Sequence, residues 1–124
     1  MTGKISILYD TIRLEEKLLI ESAKKNDISI DMVDCKKMFL DLNKKNCLEG
    51  PVLQRCVSYY RNLHSTAALE GQGAKVVNCL NTGIFAGNKL FTHMLLQKAG
   101  VPTPDATVAF SKDSALDALK KHGF

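Results

Sequence analysis

"KISILYDTIRLEEKLLIESAKKNDISIDMVD", Lys4 to Asp34, is the stretch whose reading decides the fold. Its opening, Lys4 to Tyr9, alternates around isoleucines and suits a β-strand. "RLEEKLLIESAKKN" follows with glutamates early and lysines late, the order that a helix dipole favours. Leu14, Leu18 and Ala23 fall on one helical stripe, which predicts a helix with that stripe turned to the core. "ISIDMVD" then alternates again through Ile28, Ile30 and Met32. A strand that returns through a helix to a second strand is the unit from which parallel sheets are built.

The rest of the chain extends this pattern. "CKKMFLDLNKKNCLEG" has no sustained period and reads as a loop with a short extended piece at Phe39 to Leu42. "PVLQRC" predicts a third strand, Val52 to Cys56. A polar and aromatic turn, "VSYYRN", leads to a helix from Leu63 to Glu70 that Gly71 and Gly73 end. "AKVVN" is a fourth short strand, and "CLNTGIFAG" reads as a loop with two glycines. The sum is an α/β fold, an open parallel sheet flanked by helices. In such sheets ligands collect beyond the carboxyl ends of the strands, here near Asp10, Arg55 to Arg61, and Asn78 to Lys89.

Beyond Ala86 the character changes. Asn88 is placed to cap a helix whose apolar face is Phe91, Met94 and Leu95, and Gly100 sits where a left-handed C-terminal cap is needed. "VPTPDATVAF" leads into a strand at Thr107 to Phe110, and Ser111 and Gly123 bracket a last helix. Two parts are therefore expected: an α/β domain over residues 1–86, and a linking helix with the first βα segment of another domain over residues 87–124.

Lysines and arginines outnumber acids by 17 to 13, but the like charges occur only in pairs such as Lys24-Lys25 and Lys44-Lys45. Interspersed charge suits solvated faces, so no nucleic-acid groove is expected. The N-terminus lacks a long apolar run, which argues against a signal peptide or membrane span and for a cytoplasmic protein. Cys35, Cys47, Cys56 and Cys79 are too far apart for a CxxC pair and read as reduced thiols, mostly buried or at strand ends. No glycine fingerprint follows the first strand. "GIFAGNKL" resembles a phosphate loop only in composition, since Leu90 stands where a magnesium-binding hydroxyl belongs.

Three constellations remain. Asp10 with Arg13 either caps the helix that follows or binds a ligand. Arg55, Ser58 and Arg61 could hold a carboxylate through bidentate hydrogen bonds, or form surface salt bridges. Lys89, in a first helical turn where a cation is poorly placed, is either an ordinary exposed lysine or the partner of a phosphate.

"ILYDTIR", "RCVSYYR", the "VVN" strand with its loop to "NK", and "LLQKAGVPTP" together resemble the opening of ATP-grasp ligases of the LysX and RimK group, closest to the LysX type. The likeness covers nearly the whole chain. It implies a pre-ATP-grasp domain, followed in the family by ATP-grasp domains with a second nucleotide lysine and magnesium ligands, so the chain is expected to be the N-terminal portion of a longer ligase. The LysX type joins the α-amino group of α-aminoadipate to the C-terminal glutamate of the carrier protein LysW through an acyl phosphate, using ATP and Mg2+. RimK-like glutamate ligation, ArgX-type ligation and a stand-alone α/β binding module are the alternatives. Lys89 matches the family's first nucleotide-contacting lysine, although many relatives have Asp where this chain has Asn88. Arg55, Ser58 and Arg61 fall where the domain faces the cleft. The resemblance places no catalytic residue and no metal ligand in these residues, implies a homo-oligomeric whole enzyme, and leads to the expectation that this portion alone is inactive.

Overall fold

The structure is a computed structural model and describes residues 3–123. In chain order its elements are β1 (Lys4–Tyr9), α1 (Leu14–Lys25), β2 (Ser29–Asp34), β3 (Val52–Gln54), α2 (Tyr59–Gly71), β4 (Val76–Val77), α3 (Leu80–Ala86), α4 (Lys89–Lys98) and α5 (Lys112–His122). The described residues form two compact units, one ending at Thr92 and the other starting at His93.

The first unit carries a four-stranded sheet in the order β2-β1-β3-β4, with every pair parallel. The β1–α1–β2 crossover runs to one side of β1 and β3–α2–β4 to the other. Right-handed crossovers then place α1 and α2 on opposite faces of the sheet. Burial agrees: Ile7 and Leu8 are neighbours in β1, point to opposite faces, and are both buried. On the α2 face, Leu8, Val52, Cys56, Leu69 and Val76 form the core cluster.

Helix α1 corrects the expected stripe. Leu14 and Leu18 are 68% and 52% exposed, whereas Glu16 and Ala23 are buried. Of the expected stripe only Ala23 turns inward; the inward row starts from Glu16 and its ion pair, described below, in place of Leu14 and Leu18. Helix α2 starts at Tyr59, so "SYYRN" forms its first turn rather than a connecting turn; Ser58 caps it by accepting from the Arg61 N–H at 3.4 Å. "CLNTGIFAG" contains helix α3, where a loop was expected. Its glycines are contact points: a Cβ on Gly83 would lie 3.1 Å from a Leu63 methyl, and one on Gly87 would overlap the Tyr59 ring. Gly87→Ala should therefore cost about 1 to 3 kcal/mol as the ring is displaced, seen as a lower urea midpoint. An unchanged midpoint would mean that the Gly87 turn does not pack on α2.

Between β2 and β3 the chain makes no crossover helix. Met38, Leu40 and Leu48 pack on the core cluster instead, and the Asn46 N–H and the Gln72 side-chain amide tie the loop to the end of α2 through Gln72 O and Asp41 O. The extended piece expected at Phe39 to Leu42 does not form, and Phe39 and Leu42 project into solvent.

In α4, Asn88 is the cap that the sequence suggests: its Oδ1 accepts from the N–H groups of Leu90 and Phe91 at 3.0 and 3.2 Å. Gly100 is left-handed at φ 70°, and the Val101 N–H returns to Leu96 O. In the second unit, Ser111 and Ser114 cap α5 reciprocally and Gly123 closes it at φ 69°. The strand expected at Thr107 to Phe110 is absent. A strand needs a neighbour to pair with, and the described residues of this unit supply none.

Candidate functional site

The order of strands reverses at β1 and β3, which flank the switch point where open α/β sheets bind ligands. Two buried acids tie the ends of β1 and β3 to the starts of α1 and α2 there.

Asp10 directly follows β1 and is 2% exposed. Its carboxylate accepts from the N–H groups of Val57 and Ser58, at 2.9 and 3.1 Å, and from the Arg61 guanidinium at 3.3 Å. Capping by Asp10 is therefore real, but it serves the entry to α2 and not the following helix α1. Burial pushes its carboxyl upward, yet the two N–H groups and Arg61 outweigh that and hold it below the usual range.

Glu16, fully buried in the first turn of α1, holds the other half. It accepts from the Arg13 backbone N–H at 2.9 Å, from the Arg13 guanidinium at 3.2 Å, and from Arg55 Nε and Nη2 at 2.9 and 2.8 Å. The Arg13 side chain is the main influence that pulls Glu16 down to about 2; burial opposes it, and the Arg13 N–H and Arg55 add to it. Arg55 thus leaves the end of β3 to clamp α1, which explains a guanidinium beside an otherwise apolar strand.

The structure brings Arg55, Ser58 and Arg61 to one end of the sheet, with each already engaged: Arg55 with Glu16, Arg61 with Asp10, Ser58 as a cap. Three guanidinium groups, counting Arg13, meet two carboxylates. The Arg55 and Arg61 side chains remain 30% and 52% exposed, so both keep donors toward solvent. Lys89 is the first residue of α4, is exposed, and has no ion-pair partner among the described residues.

Beside this charged row lies a cleft of about 380 Å3, lined by Gln54, Tyr59, Asn62, Asn78 and Thr82 with Gly83 and Gly87. It lies where the sequence places ligands, between Arg55 to Arg61 and Asn78 to Lys89, but its wall is helix α3 where a loop is expected; Gly83 and Gly87, one helical turn apart, are the signal for that helix. The four cysteines are free thiols, as expected, and Cys35 directly follows β2. Cys56 is buried, and burial, then Cys35, pushes its thiol up to about 12, but Cys47 and Cys79 are exposed. No group of three or more His, Cys, Asp or Glu placed to hold a metal occurs among the described residues. No described helix is long and apolar enough to cross a membrane.

Residues 5–84 match the LysX preATP-grasp domain family. Among curated relatives, the glutamate–LysW ligase ArgX of Sulfolobus acidocaldarius is 31% identical over 121 residues, covering 98% of this chain and 43% of the relative. The α-aminoadipate–LysW ligase LysX of the same organism is 35% identical over 117 residues, covering 91% and 42%. This chain thus spans less than half the length of these relatives. A crystal structure of a RimK domain ATP-grasp protein from Sphaerobacter thermophilus shares the fold, with TM-score 0.80 at 22% identity, over 98% of this chain and 47% of that one.

Proposed function

The chain belongs to the LysX preATP-grasp domain family, and from that premise we propose that it forms one wall of an ATP-dependent ligase that joins an amino acid to the carrier protein LysW. The match over residues 5–84, the family's own domain, carries this reading. α-Aminoadipate is the amino acid proposed first, from the "LLQKAGVPTP" and "RCVSYYR" resemblance. Glutamate is the second reading, favoured by the ArgX relatives.

Residues 1–86 act as the pre-ATP-grasp domain in this proposal, and residues 87–124 lead into the ATP-grasp fold. ATP and Mg2+ supply the phosphoryl group that activates a carboxylate as an acyl phosphate, which the substrate amine then attacks. Lys89 fits a nucleotide role because it is an exposed cation held at a capped helix start with no acid paired to it among the described residues. There it would neutralise phosphate charge. Arg55 and Arg61 fit carboxylate binding through their solvent-facing donors. Asp10 and Glu16 orient them, so the guanidinium groups are set before any ligand arrives.

Calorimetry with ATP and Mg2+ tests the reading, comparing this chain with a polypeptide extended to the length of the relatives. Binding is expected only in the extended form. Lys89→Ala should weaken it about tenfold, the scale of one charge-assisted contact. ADP release by the extended form with LysW, with α-aminoadipate against glutamate, decides the amino acid. Tight ATP binding by this chain alone, or indifference to Lys89→Ala, would overturn the assignment.

A further inference from the structure

We propose that the cleft between α2 and α3 is a binding site for an uncharged, extended peptide segment, and that it uses neither the guanidinium row nor Lys89. The inference goes beyond the ligase reading and stands on the cleft itself.

The ten lining residues include no Asp, Glu, Lys, Arg or His. An ionised group placed there would lose water without meeting a counter-charge, so the ligand portion that enters must be neutral. At about 380 Å3 the space is in the range of small-ligand sites.

Most polar groups of the wall are already satisfied. Gln54 Nε2 donates to Asn62 O, Ser65 Oγ and Thr66 Oγ1, and its Oε1 accepts from the Cys56 N–H. Tyr59 donates to Ile84 O, and Thr82 Oγ1 lies 3.3 Å from Cys79 Sγ. Two carboxamides are left over. The side chains of Asn62, half-buried on α2, and Asn78, exposed just before α3, line the cleft, are open to solvent, and make no hydrogen bond among the described residues.

Each carboxamide offers both donors and an acceptor. A peptide unit presents one N–H and one C=O, so each carboxamide can pair with one main-chain unit of an extended segment. The glycines fit this use. A Cβ on Gly83 would come within 3.3 Å of Asn62 Oδ1, so glycine leaves that amide approachable. A stacked nucleobase fits less well, because the Tyr59 ring is already packed against Gly87.

The test follows the side-chain amide resonances of Asn62 and Asn78 in the 15N-labelled chain while N-acetyl-glycyl-alanyl-glycinamide is added, with acetate and adenosine as controls. Both resonances should move saturably with the peptide and not with either control. Asn78→Ala, at an exposed position and with its backbone amide spectrum checked against the unaltered chain, should weaken the peptide at least tenfold, whereas Lys89→Ala should leave it unchanged. No saturable shift, equal shifts with acetate or adenosine, or unaltered binding by Asn78→Ala would each overturn the proposal. Because no nucleotide is involved, this outcome is independent of the ligase reading.

Discussion

Gly50→Ala should destabilise the first unit by about 2 to 5 kcal/mol, a cost made of left-handed backbone strain and backbone overlap. Gly50 adopts φ 70°, and a Cβ there would overlap the carbonyl oxygen of Lys4. The approach is close because the chain must enter β3 alongside β1. Ser6 Oγ donates to Glu49 O, the Ser6 N–H donates to Pro51 O, and Lys4 pairs with Glu49 at 2.9 Å. A methyl group cannot be accommodated by a side-chain rotation here, since its obstacle is main chain. Gly73→Ala is the matched control. It shares a positive φ, 88°, but a Cβ there meets nothing within 4 Å, so its cost should be strain alone, about 1 kcal/mol. Urea midpoints of the two variants separate the terms, and equal losses would mean that Gly50 does not pack against β1.

The bounds of β1 match the sequence to the residue, because its isoleucines favour a strand, but its burial does not alternate: Ser6, Ile7 and Leu8 are buried in succession, as in a central strand covered on both faces. The parallel order followed from the crossover units. The loop from Cys35 to Gly50 gave no such signal, because it covers the core with Met38, Leu40 and Leu48, three side chains at no regular spacing. Helix α3 was hidden for another reason. Gly83 and Gly87 read as loop formers by propensity, whereas the structure uses them for close approach to α2.

At the candidate site, residue type was legible and pairing was not. Arg55, Arg61, Asp10 and Arg13 stood out as charged groups at strand ends, where the topology gathers them. Glu16 did not, because a glutamate in a first helical turn already has an explanation in the helix dipole. Nothing in its local sequence says that it turns inward. Its partner Arg55 is 39 residues away, and only the sheet order brings β3 beside β1 and the start of α1. For the same reason the sequence offers Asp10 either as a cap for the helix that follows or as a ligand group, whereas the groups it satisfies lie 47 and 48 residues on.

Glu16 accordingly governs the second large effect, the response to acid. Its carboxyl sits at about 2 in the folded chain, against an ordinary value of 4.5. A depressed folded value means that the unfolded chain binds the proton first as pH falls. The stabilisation is therefore complete above about pH 4.5, declines from there, and is gone below about pH 2, with a full amplitude on the order of 3 kcal/mol. Asp10 shifts in the same direction and steepens the same limb. Glu16→Gln keeps the shape and removes the charge, leaving Arg13 and Arg55 without their shared anion. Both guanidinium groups reach solvent, so the loss at neutral pH should be about 2 to 3 kcal/mol, below that of a fully enclosed pair. The decisive observation is the shape of the pH profile of the urea midpoint. In Glu16→Gln the curve should start lower and fall less between pH 4.5 and 2, so that the two chains converge in acid. Parallel curves would show that Glu16 contributes packing without charge, and the clamp between α1 and β3 would then have to rest on the Arg55 stem alone.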